Sequence, residues 1–317
     1  MSSIYDRDLE RAEANHQPLT PLTFLERAAR VFPQTTAVIY GDLRIDYADF
    51  YRRCRQLASA LADRGIGRSD TVSVMLANTP AMLEAHYAVP MCGAVLHSMN
   101  TRLDAAVIAL QLDHAQSRVL ITDTAFSATI GQALEIASAE PLIIDYIDPV
   151  EPQTGDRLGD HEYEATLASG DADFAWAMPQ DEWDAIAVNY TSGTTGDPKG
   201  VVYHHRGACL LAQGNIITAS IPKHAVYLWT LPMFHCNGWC FPWTIAAVNG
   251  THVCLREVRG DAIWAALADH RVNPPMRSSG GNVDPVGGES TVATPPDDRG
   301  RVFYRGCTTA RVGALRD

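Results

Sequence analysis

The chain has 317 residues, 46% of them hydrophobic and 20% charged, with a formal net charge of −12. That length and apolar fraction bury a substantial core, in one large domain or two medium ones, and exclude a disordered chain. Its 25 basic residues form no cluster, so the basic face that a nucleic-acid binder needs is missing.

In chain order, Leu22 to Val31 reads as a helix, with apolar residues at 22, 25, 28, 29 and 32. Thr36 to Tyr40 and Leu43 to Tyr47 flank Gly41-Asp42, which predicts a β-hairpin. Tyr47 to Arg64 has helical period and stops at Gly65, a residue suited to a left-handed C-cap. Strands are then expected over Thr71 to Leu76, Ala94 to His97, Arg118 to Thr122 and Leu142 to Tyr146. Helices over Pro80 to Cys92, Leu103 to His114 and Ala125 to Ala137 separate them. Strands joined by helices of this length imply right-handed crossovers, a largely parallel sheet and an α/β fold.

The stretch 145–184 carries 12 acidic residues against one arginine, which accounts for nearly all of the net charge. It reads as a solvated acidic linker. A second α/β run follows, with strands at Ala185 to Tyr190, Val226 to Leu231 and His252 to Leu255. Its helices are expected at His205 to Ser220, Gly238 to Val248 and Gly260 to His270. From residue 274 the pattern stops: 274–317 holds five prolines and seven glycines with only scattered apolar residues. Such a composition marks a disordered tail. With two lysines against 23 arginines in the chain, a G+C-rich gene read out of frame would also produce it. The expected organisation is one domain over 20–273 and an irregular or aberrant tail over 274–317.

Seven cysteines, an odd number with no C-x-x-C pair, argue against a disulfide framework and a zinc ribbon and point to a reducing compartment. The first ten residues contain no apolar signal core, and the longest apolar run, near Trp239 to Val248, is too short to span a bilayer. A cytoplasmic protein without a transmembrane segment is expected.

The segment richest in chemistry is Tyr190-Thr-Ser-Gly-Thr-Thr-Gly-Asp-Pro-Lys-Gly200, placed between an apolar strand and a helix. Gly193, Gly196 and Gly200 allow close backbone approach, so successive amides can face one concavity. Thr191, Ser192, Thr194 and Thr195 add hydroxyls, and Lys199 adds a positive charge; a polyanion is the natural occupant. The spacing fits neither the Walker loop nor G-x-G-x-x-G. A plain turn without a ligand is the competing reading.

The string resembles the phosphate-binding signature of the AMP-forming adenylating superfamily, which includes acyl-CoA synthetases, luciferases and peptide-synthetase adenylation domains. The resemblance implies that Thr191, Ser192, Gly193, Thr194, Thr195, Gly196 and Lys199 contact the β- and γ-phosphates of ATP, framed by Tyr190 and Gly200. A second segment, Leu231-Pro-Met-Phe-His-Cys-Asn-Gly-Trp-Cys-Phe-Pro-Trp243, resembles the acyl-pocket motif of acyl-CoA synthetases. There His235 would lie near the acyl carboxylate and the thiol tunnel, and Asn237, Gly238 and Trp239 along the pocket wall. Lys199 and His235 are the expected catalytic residues. An aromatic-rich run entering a helix is also what plain core looks like. As metal sites, His235-Cys236 with Cys240 and His204-His205 lack four ligands at a zinc spacing, so no metal ligand is assigned.

The resemblance further implies part of the superfamily's large N-terminal domain, with αβαβα subdomains and mostly parallel sheets. The implied activity is ATP-dependent activation of a short- or medium-chain fatty or related apolar acid to acyl-AMP and then acyl-CoA, with Mg²⁺ as cofactor and CoA as co-substrate. The sequence lacks the superfamily's Y-G-x-T-E and Y-x-T-G-D segments; Thr154-Gly155-Asp156 lies upstream and is a chance tripeptide. The expectation is therefore a truncated chain without the small C-terminal domain, its apolar sheet edges uncovered unless a complementing C-terminal half is supplied. A carrier-protein thiol as acceptor, or a non-catalytic nucleotide-binding remnant, are the alternatives.

Overall fold

The computed structural model describes residues 3–7, 10–12, 14–191 and 198–272, together with a strand pair, Val292–Ala293 and Tyr304–Arg305. The rest of the 274–317 tail lies outside the described residues. From the N-terminus the elements are α1 (Leu22–Val31), β1 (Thr36–Tyr40), β2 (Leu43–Asp46), α2 (Tyr47–Ala62), β3 (Thr71–Met75), α3 (Pro80–Met91) and β4 (Val95–Ser98). Next come α4 (Ala105–His114), β5 (Ser117–Asp123), α5 (Ser127–Ile136), β6 (Leu142–Tyr146), β7 (His161–Glu162), α6 (Tyr163–Ala168), β8 (Ala185–Tyr190) and β9 (Gly200–His204). The second run continues with α7 (His205–Thr218), β10 (Val226–Leu228), α8 (Cys236–Trp239), α9 (Phe241–Ala247), β11 (Thr251–Val253) and α10 (Gly260–His270).

Seven strands form one sheet in the order β7-β6-β5-β3-β4-β8-β9. All its pairings are parallel except β8 with β9. The smaller sheet runs β10-β11-β1-β2, with the predicted hairpin turning at Gly41 at its edge. All twelve residues of α3 are buried, as a helix apolar on every face must be. Its two polar residues, Glu84 and His86, are buried with it.

Charged side chains hold the layers together. Arg53 of α2 meets Glu84 of α3 at 2.5 Å and Glu164 of α6 at 2.7 Å, and the Tyr163 hydroxyl donates to Glu84 at 2.7 Å. Arg256, just after β11, lies 2.7 Å from both Asp123 at the end of β5 and Asp148 after β6. Tyr40 of β1 also donates to Asp148. Burial alone would raise the Asp148 pKa. The amides of Glu151 and Val150, the Tyr40 hydroxyl and Arg256 outweigh burial and hold it below the usual carboxylate range.

This corrects the reading of 145–184 as a solvated linker. The segment adds β7 and α6, buries Tyr163, Thr166 and Leu167, and places Asp145 and Asp148 inside. Asp145 accepts the amides of Leu158 and Gly159. The charge density masked the apolar and aromatic residues between the acids, and several carboxylates serve as caps and turn acceptors rather than as solvated charges.

Four histidines are buried: His86, His97, His205 and His252. Burial pushes the first three imidazoles down to about 4 and His252 to about 3. Between pH 6.5 and 4 the unfolded chain therefore binds protons that the folded chain refuses, so stability falls on acidification through that window. At pH 5 the loss is on the order of 1–2 kcal/mol per histidine. We expect the urea midpoint to drop steeply between pH 7.5 and 5, above the range where carboxylates titrate; a level midpoint would contradict the buried imidazoles.

Candidate functional site

The carboxyl end of β8 opens the site, where the sheet's parallel order gives way to an antiparallel pair. Tyr190 pairs with Gly200, the Thr191 amide donates to the Lys199 carbonyl at 3.0 Å, and the Lys199 amide donates to Thr191 Oγ1 at 3.3 Å. Thr191 and Lys199 thus form the neck of a β-hairpin. Ser192, Gly193, Thr194, Thr195 and Gly196 lie outside the described residues. Lys199 and Thr191 are exposed at the hairpin's neck.

The helix expected from His205 starts there, and the stretch before it, to which the sequence reading gave no element, is the strand β9. At about 3.3 Å per residue, five strand residues carry the start of α7 roughly 16 Å from the neck. An apolar Val-Val-Tyr run beside a helix start gave no alternation to separate strand from helix. His204 Nδ1 accepts the Gly207 amide at 2.8 Å, capping α7, and its ring packs at a tilt of 41° against Trp183. His205 is buried, with Nδ1 2.9 Å from Thr20 Oγ1. Among the described residues no group of three His, Cys, Asp or Glu side chains could hold a metal ion.

The second segment approaches along β10. Asn78, between β3 and α3, donates to the carbonyls of Trp229 and Leu231 and accepts the Met233 amide at 2.8 Å, which ties the Leu-Pro-Met run to the large sheet. The chain then makes a left-handed turn in place of the start of the helix expected from Gly238. Five consecutive residues, Cys236, Asn237, Gly238, Trp239 and Cys240, have φ between 50° and 61°. Right-handed helix resumes only at Phe241. Left-handed backbone costs roughly 1–2 kcal/mol per non-glycine residue, so four of these five must be held by their surroundings.

What holds them is a ring of buried polar side chains. Asn237 Nδ2 donates to Asn189 Oδ1 at 2.7 Å, and Asn189 Nδ2 donates to Ser98 Oγ at 2.9 Å and to the Phe234 carbonyl at 3.0 Å. Ser98 Oγ lies 3.0 Å from Asn237 Oδ1, which closes the ring. Asn237 is 0%, Ser98 3% and Asn189 7% exposed, so none of these amides has water as a substitute partner. Ser98 ends β4 and Asn189 lies on β8, neighbouring strands in register at Leu96 with Ala187 and His97 with Val188. Gly238 is buried under Trp229, where an added Cβ would come within 2.7 Å of the indole.

His235 is exposed, with Nε2 3.8 Å from Cys236 Sγ, and Trp239 is 41% exposed; the turn displays these two and buries Asn237, Gly238 and Cys240. Burial pushes the Cys240 thiol up to about 12. Thr191 lies two residues beyond Asn189, about 7 Å along the strand. The structure therefore brings the neck of the Thr191–Lys199 hairpin and the His235–Trp239 turn to one end of the sheet. Asn78, Ser98 and Asn189 were missed from the sequence. Only Asn189 left a signal there, as an isolated amide in the apolar strand Ala-Ile-Ala-Val-Asn-Tyr.

A family model described as "AMP-binding enzyme" matches residues 25–274. The chain belongs to that family. Among relatives of this AMP-binding enzyme chain, the peroxisomal acetate/butyrate–CoA ligase AAE7 of Arabidopsis thaliana is 47% identical over 276 residues, 84% of this chain and 48% of that protein. The acetate–CoA ligase CCL3 of Humulus lupulus is 45% identical over 276 residues, 84% of this chain and 49% of that one. In fold, the anthranilate CoA ligase AuaEII, solved with anthranoyl-AMP, superposes with a TM-score of 0.73 at 18% identity, over 83% of this chain and 50% of its own. The α/β architecture matches the N-terminal domain of adenylating enzymes. The chain spans about half the length of the relatives it matches.

Two glycines of this AMP-binding chain should respond oppositely to alanine. Gly238→Ala forces a Cβ into the rigid Trp229 indole at φ +55°, and we expect a loss of about 2–4 kcal/mol in chemical denaturation. Gly214→Ala, in open space inside α7, should gain about 0.5–1 kcal/mol.

Proposed function

We propose that this chain carries the nucleotide- and acid-binding part of an AMP-forming acyl-CoA ligase acting on a short- or medium-chain fatty or related apolar acid. One observation supports this above the others: the 2.7 Å bond from Asn237 to Asn189 joins the turn bearing His235 to the strand that leads into the Thr191–Lys199 hairpin. A triphosphate end and an acyl end are thereby brought within reach of one another. The CoA-ligase relatives, at 45–47% identity, support the reaction class.

The chemistry asks for this arrangement. A carboxylate is ionised at neutral pH and its oxygen is a poor leaving group, so it is first converted to an acyl-adenylate by attack on the α-phosphorus of ATP, releasing pyrophosphate. The CoA thiol then displaces AMP. The first step brings two anions together. On this reading Lys199, Thr191 and the loop residues Ser192 to Gly196 bind the departing pyrophosphate, which lowers that repulsion through fixed positive charge and amide donors. Mg²⁺ entering with the nucleotide would supply further charge neutralisation. His235 orders the acyl carboxylate, and the exposed indole of Trp239 favours an apolar tail.

No helix among the described residues is long and apolar enough to cross a membrane. The six described cysteines are free, and we propose the cytoplasm as the compartment. The half-length match to the relatives favours a second reading, a nucleotide-binding unit that needs a complementing C-terminal half for turnover.

Acid-dependent exchange of pyrophosphate into ATP, measured with acetate, butyrate, octanoate and benzoate, separates the two readings. The ligase reading expects exchange with at least one acid from the chain alone; the second expects it only when the C-terminal half of a relative is added. Lys199→Ala removes a charge-assisted contact and should weaken ATP binding by about 10- to 100-fold in calorimetry. Unchanged affinity in both Lys199→Ala and Thr191→Ala would detach the hairpin from the triphosphate.

A further inference from the structure

We infer that Ser98, Asn189 and Asn237 are positioning residues for the acyl end of the site: their ring of hydrogen bonds fixes the left-handed turn that displays His235 and Trp239, while the triphosphate end is held independently of it. The inference rests on the proposed site and adds a division of labour within it.

The geometry separates the two ends. The hairpin neck is closed by its own backbone, through the pairing of Tyr190 with Gly200 and the two bonds between Thr191 and Lys199. None of those bonds passes through Asn237 or Ser98. The turn lacks a neighbouring strand to close it. Its amides bond within the turn, Gly238 to the His235 carbonyl and Cys240 to the Asn237 carbonyl, both at 3.0 Å, and Cys240 also to the Gly238 carbonyl. Beyond them it depends on side chains: Asn189 on the Phe234 carbonyl, Asn237 on Asn189 and Ser98, and Asn215 of α7 on the Trp239 carbonyl at 2.9 Å.

An apolar filler at Asn237 could occupy the same space but would not choose between left- and right-handed backbone. A buried amide with both ends engaged admits one orientation, because any other leaves it unpaired. Asn237 thus fixes the sense of the turn, and the turn's sense decides that His235 and Trp239, four residues apart, face outward together. Ser98 sets the amide's direction by lying against its oxygen, and Asn189 receives its NH₂. A two-residue path along β8 links this ring to Thr191, which keeps the acyl end at a fixed distance from the hairpin without bearing on the hairpin's closure.

The test uses the 317-residue chain and two ligands: Mg–ATP, and 5′-O-(N-butanoylsulfamoyl)adenosine as a non-hydrolysable stand-in for an acyl-adenylate. Calorimetric affinities are compared for wild type, Asn237→Ala, Asn189→Ala, the double variant and the milder Ser98→Ala, which keeps the reading testable if an asparagine variant does not fold. The analogue should weaken at least about 10-fold in each asparagine variant and about 3- to 10-fold in Ser98→Ala, while ATP affinity stays within about 3-fold. The double variant should be no more than about 2-fold worse than either single one, because the ring fails as a unit. Analogue binding unchanged in every variant overturns the inference, and so does equal weakening of both ligands, which would make the ring a support of the whole fold. A wild-type chain that binds ATP but not the analogue overturns the acyl-site reading on which the inference rests, before any variant is compared.

Discussion

A primary amide cut off from water must find partners for both its oxygen and its nitrogen, and Asn237 finds them on two strands of the larger sheet. That requirement fixes much else. It selects the handedness of Cys236–Cys240, places Gly238 where only a hydrogen atom fits beneath Trp229, and turns His235 and Trp239 toward solvent. Asn78 does the corresponding work one step earlier in the chain, fastening the Leu231–Met233 backbone to the start of α3. The segment that carries the candidate chemistry is therefore set by polar side chains contributed from earlier in the chain, Asn78, Ser98 and Asn189, not by its own helical or strand propensity.

Two charge clusters do for the layers what the amides do for the turn. Arg256 couples the smaller sheet to the ends of β5 and β6 through Asp123 and Asp148, and Arg53 couples α2 to α3 and α6. Buried ion pairs of this kind add little net stability over apolar packing, but losing one partner leaves an uncompensated charge that costs about 3–5 kcal/mol. They act as constraints on relative placement. With the sheets so registered, the loops at the strands' carboxyl ends converge, which is where parallel α/β sheets bind ligands.

How far the sequence carried the argument depends on the kind of signal. α1, β1, β6, β8 and α10 follow their apolar period to the predicted residue, because one face or both faces of each meet the core. α6 and β7 were invisible, since acidic residues outnumber the apolar ones that anchor them. β9 was lost because its valines stand at a sheet edge, with Val201 46% and Val202 62% exposed, so neither alternation nor burial shaped the pattern. At the site, the glycine-hydroxyl string and the His-Cys-Asn-Gly-Trp run were legible as motifs. The partners that hold them were not, because Ser98 and Asn189 come from strands 91 residues apart in sequence, and no local spacing encodes such a meeting. The left-handed turn was equally hidden: an asparagine and a glycine permit it, but only the cavity under Trp229 and the waiting amide require it.

The strand that precedes α7 has a mechanical corollary. Among the described residues β9 pairs with β8 alone, and β4 supports β8 only as far as Val188, so Lys199 stands just past the last two rungs of an edge pair rather than on a rigid helix axis. The ammonium group of Lys199 thus hangs from the rim of the sheet, while the turn opposite is tied down by buried amides.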